Sequence, residues 1–245
     1  MSDLNFKKWE EYIKKPTWYF DILAEIEQYK KSNTKTPTEW KQLKREVYNF
    51  FEDYLKRDAI FLGDTGKNWD TERKSIDTII IHHTSESRNL TLERLSAVTL
   101  FRLYAAYYAN PYDSRDADVK GQPIYSHHFR NKKQVFWPYH WIVREGGKIE
   151  RLLNDDEIGW QAGNWDINCR SIAIVLDNDY ENDTPPDDEI SAIVKIIKTN
   201  YPHIQKERVF GHREINPKTT CPSNLFLSQN NTPGWKDAIL REITI

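Results

Sequence analysis

Two side chains late in the chain have the chemistry of soft or borderline metal ligands. His212 and Cys221 stand nine positions apart within Phe210–Pro222, a polar stretch that contains Pro217. That spacing is too long for one helix face, so the segment must fold back to bring both side chains to one point. An imidazole nitrogen paired with a thiolate sulfur favours zinc over calcium or magnesium, which take oxygen ligands. A third protein ligand would make the site catalytic, because catalytic zinc keeps one position open for water. The donor for it is in Ile79-Ile80-Ile81-His82-His83-Thr84, where two histidines end an apolar run. Side chains alternate across a strand, so only one of His82 and His83 easily reaches a given point. A lone histidine or cysteine is ordinary packing or surface, and the signal lies in the combination.

The same chain carries further pieces in a fixed order. Tyr139-His140-Trp141-Ile142-Val143 comes next, then Gly159-Trp160-Gln161-Ala162-Gly163-Asn164 and Ser171-Ile172-Ala173-Ile174. Gly211-His212-Arg213-Glu214 and Thr219-Thr220-Cys221-Pro222 close the series. From about Ser75 to about Phe226 this order resembles the zinc-dependent N-acetylmuramoyl-L-alanine amidases of the bacteriophage-lysozyme type, the group that also contains the peptidoglycan recognition proteins.

The resemblance implies an α/β fold, with a central mixed β-sheet flanked by helices. It implies a hydrolase that uses one zinc ion to cut the amide between the lactyl group of N-acetylmuramic acid and L-alanine in peptidoglycan or a muropeptide, an activity of cell-wall degradation. It assigns the metal to His82, His212 and Cys221, with His83 left to packing or support. Tyr139 corresponds to the family's donor to the tetrahedral oxyanion, which needs a donor beyond the metal. The second helper in relatives is a lysine or threonine two positions before the cysteine, here Thr219. This loop is one residue longer than the usual spacing, so Lys218 stays open beside Thr219. The glycine-, tryptophan- and asparagine-rich segment Gly159–Asn168 suits a sugar-peptide groove, with Trp160, Gln161 and Asn164 expected to bind substrate.

Two positions depart from the relatives. Histidine often stands where Gln161 is, and glutamate where Val175 is. Gln161 can hydrogen-bond an amide but supplies no acid near neutral pH. The proton donor to the leaving amine stays open among Glu86, Glu214 and a water on the metal. Glu214, directly after His212-Arg213, is expected to orient that turn or to pair with an arginine. Two rival functions remain. One is a non-catalytic peptidoglycan-binding protein of the same fold, against which the three ligand positions and Tyr139 count. The other is a zinc peptidase of another kind, whose commonest motif, His-Glu-x-x-His, the chain lacks.

The elements that must position these residues follow from periodicity. Residues 1 to about 58 read as helical. Tyr19, Ile22, Leu23, Ile26 and Tyr29 form one apolar stripe; Trp40, Leu43, Val47, Phe50, Phe51 and Tyr54 form another after the Pro37-Thr38 start. Gly63–Lys74 is a polar boundary, which gives a helical N-terminal appendage over 1–70 and a zinc amidase domain over 71–245. The appendage buries too little to be a module of its own and is expected to pack on the catalytic part. Ile76–His83 predicts a buried strand, Leu90–Ala109 an amphipathic helix, and Asn110–Trp137 a long loop whose His127-His128 pair is expected at the surface. A Gly146-Gly147 hairpin joins Tyr139–Glu145 to Lys148–Leu153, with Tyr139 opening the first strand. Ser171–Asp177 predicts a central strand, the acidic start at Thr184–Glu189 a helix to about Tyr201, Arg208–Gly211 a strand delivering His212, and Trp235–Ile243 a last helix.

Composition excludes other classes. With 35 basic against 37 acidic residues, net charge −2, the chain has no general pull toward nucleic acid or anionic lipid. No apolar run approaches the ~20 residues of a membrane helix. Met1–Lys15 has no apolar core typical of a signal peptide. With Cys221 on a metal, Cys169 is a single thiol, which suits a reducing compartment. The expected location is therefore cytoplasmic, or outside the cell after phage lysis or through a dedicated secretion system. Oligomeric state is not legible.

Overall fold

β-Branched side chains favour extended backbone, and Thr78-Ile79-Ile80-Ile81 consists of nothing else. In the computed structural model, which describes residues 4–243, this run opens strand β1 (Thr78–His83), buried along its whole length. The first three residues of the expected helical region lie outside the described residues. Before β1 come helices α1 (Phe6–Tyr12), α2 (Trp18–Ser32) and α3 (Pro37–Lys56). After it, α4 (Leu92–Thr99) runs through a π-helical stretch, Leu100–Ala105, into α5 (Ala106–Ala109). The two-residue strands β2 (Phe129–Arg130) and β3 (Lys133–Gln134) follow, then β4 (Trp141–Arg144) and β5 (Lys148–Arg151). The chain continues with α6 (Trp165–Arg170), β6 (Ser171–Leu176), α7 (Asp187–Asn200), β7 (Val209–Gly211), α8 (His212–Ile215) and α9 (Trp235–Ile243).

The chain divides into two compact units. One takes the chain up to Asn68 together with Thr91–Phe136; the other takes Trp69–Leu90 and everything from Trp137 on. The helical unit thus includes a segment, α4 to β3, that the sequence reading placed with the catalytic residues. The reason is the apolar stripe of α3. Phe51 stacks on Phe101 with ring centroids 5.0 Å apart, and Glu52 accepts a hydrogen bond from Thr91 Oγ1 at 2.6 Å. The start of α3 is a capping box behind Pro37: Glu39 N donates to Thr36 Oγ1, and Thr36 N donates to the Glu39 carboxylate. In the same unit the Trp18 indole donates to Phe61 O and the Tyr19 hydroxyl to Gln122 O. The expected long loop holds a 3₁₀ turn, Ser114–Val119, and the β2–β3 hairpin. His128 is buried there rather than at the surface, and its neighbour His127 has a left-handed backbone, φ +65°.

The second unit is built on a mixed five-stranded sheet in the order β5-β4-β6-β1-β7. β1 runs parallel to β6 and β7, β6 parallel to β4, and β5 antiparallel to β4. The β4–β5 turn needs left-handed backbone twice, and Gly146 and Gly147 supply it at φ +71° and +70°. Ile79, Ile81, Ile172, Ile174 and Leu176 form one apolar face with Ile193 and Ile197 of α7 and Ile239 of α9. Three acidic residues, Asp187, Asp188 and Glu189, occupy the first turn of α7, where they meet the positive end of its dipole. The α/β class with a mixed sheet flanked by helices, expected above, is the fold observed. Two local expectations need correction. The segment Gly159–Asn168 is a loop only in its first half, because Asn164 accepts from Ile167 N and starts α6. Strand β4 begins at Trp141, so Tyr139 precedes it.

The loop after β1 is fastened by one buried carboxylate. Asp177 accepts from Asn89 N (3.0 Å), Leu90 N (3.2 Å) and the Arg144 guanidinium (2.6 Å), and Arg144 also donates to Leu90 O (2.7 Å). Replacing Asp177 by alanine leaves two amide donors and a largely buried guanidinium without their acceptor. Asp177→Ala is expected to lower unfolding stability by about 3 kcal/mol, read as a fall in the urea midpoint at unchanged slope.

Candidate metal centre

The parallel register of β1 and β7 brings the two histidines together. Ile81 pairs with Gly211, so the next residues, His82 still in β1 and His212 at the start of α8, lie side by side with ring centroids 4.7 Å apart. The strand ends at once in the short helix α8, where Glu214 accepts from Gly211 N at 2.8 Å and pairs with Lys236 at 2.8 Å. Glu214 thus orients the turn, as expected, but its charge partner is a lysine. The chain then folds back. Arg213 N donates to Cys221 O at 2.7 Å and the Arg213 guanidinium to Ser223 O at 2.8 Å, which pins the return of the loop beside its start. Gly211 is required at this crossing: a Cβ there would lie 2.5 Å from the Phe226 ring and 2.7 Å from Pro222 Cδ.

These constraints leave one ligand atom each from His82, His212 and Cys221 within 4.8 Å of one another. Among the described residues, this is the one such group of three. His82 Nδ1 lies 3.6 Å from Cys221 Sγ. Its other nitrogen, Nε2, is 2.6 Å from Gln161 Oε1. Burial, together with the neighbouring His212, holds the His82 imidazole well below its ordinary pKa, so it is neutral near pH 7. Burial pushes the Cys221 thiol up to about 12, partly offset by its contact with His83 O. His83 turns to the opposite face, where Nδ1 accepts from Tyr180 N at 2.9 Å and Nε2 meets Ser85 Oγ.

The other residues singled out in the sequence fall in three places. Tyr139, half-buried, has its ring centroid 4.9 Å from that of His82. Thr219 Oγ1 accepts from Cys221 N at 3.1 Å, while Lys218 is exposed and its amide is held by Asn216 Oδ1. The three residues assigned to a substrate groove do not share an open face. Trp160 is buried against Trp69 and Trp165, and Asn164 caps α6. Gln161 is only 7% exposed, with its amide nitrogen donating to Ser171 Oγ at 2.9 Å. The sequence reading missed two structural partners of the site. Arg213 gave no signal beyond its place after His212. The contact of Gln161 with His82 was hinted at only by an amide standing where relatives have a second imidazole.

Residues 72–224 match the N-acetylmuramoyl-L-alanine amidase family. The 1,6-anhydro-N-acetylmuramyl-L-alanine amidase AmpD of Haemophilus influenzae is 24% identical over 119 residues, 45% of this chain and 62% of that protein. The chain therefore spans less than two thirds of the length of the curated relative it matches. Among solved structures, the N-acetylmuramoyl-L-alanine amidase LysC from Clostridium intestinale aligns with a TM-score of 0.45 at 14% identity, covering 76% of this chain and 94% of that one. The Drosophila peptidoglycan recognition protein SD aligns with a TM-score of 0.40 at 15% identity, covering 65% and 84%. The family match covers more than half of the sequence and includes His82, His212 and Cys221, so this chain belongs to the N-acetylmuramoyl-L-alanine amidase family.

Proposed function

We propose that this protein is a zinc-dependent N-acetylmuramoyl-L-alanine amidase, hydrolysing the amide between the lactyl group of N-acetylmuramic acid and L-alanine in peptidoglycan or its fragments. The observation that carries the reading is the convergence of His82, His212 and Cys221. Two imidazoles and a thiol are a borderline-soft donor set that suits zinc and leaves one tetrahedral position open. Bond lengths of a tetrahedral zinc site place a nitrogen and a sulfur ligand roughly 3.6 Å apart, and His82 Nδ1 and Cys221 Sγ stand 3.6 Å apart. The residues present fit the ion.

Zinc bound there would supply an acidified water and would polarise the scissile carbonyl. The chain's own part is to keep the ligands in the right protonation state and to meet the charge that develops on the carbonyl oxygen. His82 is already neutral, so it coordinates without losing a proton. Cys221 must give one up. Tyr139, beside His82, is assigned as the hydroxyl donor to the oxyanion. Thr219 steadies the Cys221 backbone, and the exposed Lys218 next to it carries positive charge that would offset the oxyanion. The unit containing the sheet is assigned the catalysis and the helical unit the role of an appendage. Among the described residues, no helix is long and apolar enough to cross a membrane.

Zinc in one-to-one stoichiometry with release of stem peptide from a muropeptide tests the proposal. Binding without release would favour a recognition protein instead. Cys221→Ser is expected to lose zinc and hydrolysis together, measured by metal analysis and mass spectrometry of the digest. Tyr139→Phe should retain zinc and lower kcat by about one order of magnitude or more, because one oxyanion donor is removed. The thiol pKa of about 12 means that Cys221 is protonated across the working range, so zinc uptake must expel one proton. Lower pH opposes that release. Zinc affinity is expected to rise at least about tenfold per pH unit between about pH 6.5 and 8.5, with one proton or more released in calorimetry in buffers of different ionisation enthalpy.

A further inference from the structure

We propose that Gln161 is a positioning residue which fixes the tautomer and ring orientation of His82, so that the Nδ1 lone pair faces the metal position. The proposal rests on the metal reading of the site. An imidazole binds a metal through one nitrogen only when the proton is on the other, and that proton needs an acceptor. His82 is 1% exposed, so bulk water is not the acceptor. Gln161 Oε1, 2.6 Å from Nε2, is.

The Gln161 side chain is held in place at its far end as well. Its nitrogen donates to Ser171 Oγ at 2.9 Å, and Ser171 is fully buried in β6. Its backbone is anchored by Asn168 of α6, whose Oδ1 accepts from Gln161 N (3.2 Å) and Ala162 N (2.8 Å). Turned the other way, the amide would present its NH₂ to Nε2 and require the proton on Nδ1. That proton would point at Cys221 Sγ, 3.6 Å away, and occupy the direction in which a metal must bind. An uncharged acceptor also adds no further negative charge beside the thiolate that the metal requires. The Ser171–Gln161–His82 chain therefore acts through His82 and not on the substrate, although Gln161 reads in the sequence as a groove residue.

Gln161→Leu keeps the volume and removes the acceptor, and Gln161→Glu restores one. Zinc affinity by chelator competition is expected to fall about 10- to 100-fold in Gln161→Leu and to recover at least tenfold in Gln161→Glu. Long-range ¹H–¹⁵N spectra of the metal-free protein read the tautomer directly: His82 should carry its proton on Nε2 in the wild type and become mixed in Gln161→Leu. Unchanged affinity and an unchanged tautomer in Gln161→Leu would overturn the role. A wild-type His82 protonated on Nδ1 would overturn it even if the leucine variant does not fold. A wild type that binds no zinc, but whose His82 tautomer depends on Gln161, would sink the amidase reading and leave the positioning role standing.

Discussion

The site depends on one register, the parallel pairing of β1 with β7. Ile81 opposite Gly211 determines that His82 and His212 emerge at the same height on neighbouring strands. A slip by one residue would turn His82 to the face that holds His83, among Tyr180 and Ser85, and no metal position would form. In this register Ile79, Ile80 and Ile81 are fully buried on the two faces of β1, which pairs with β6 on one side and β7 on the other. The strand pairing is thus what aligns the two histidines. The third ligand arrives by a different route, through hydrogen bonds from Arg213 to Cys221 O and Ser223 O and through the close crossing at Gly211.

Much of this was legible from residue type and spacing. The strand Ile76–His83, the Gly146-Gly147 turn, the acidic start of α7 and the delivery of His212 by a short strand all follow from local rules, and the structure has an element at each place. The opposite facing of His82 and His83 follows from strand alternation alone. His82, His212 and Cys221 were singled out as a set because their chemistry is unusual, and one ligand atom from each lies within 4.8 Å of the others.

The remainder was hidden because it depends on long-range contact. Nothing in the residues 91–136 announces that they group with α1–α3; that follows from which face of α3 needs covering. Trp160 and Gln161 stand in a glycine-rich segment that reads as an open groove, and only tertiary packing shows them buried. Asn164, read as a polar groove residue, is exposed and also caps α6, a second role that the same short amide serves. His128 shows the same limit: its loop reads as polar, yet the structure buries it.

The burial of the Cys221 sulfur has a chemical consequence of its own. Alkylating agents and peroxides attack thiolates, and a buried thiol held toward its neutral form reacts slowly with either. The folded chain thus shelters the most oxidisable of the three candidate ligands from reagents in solvent.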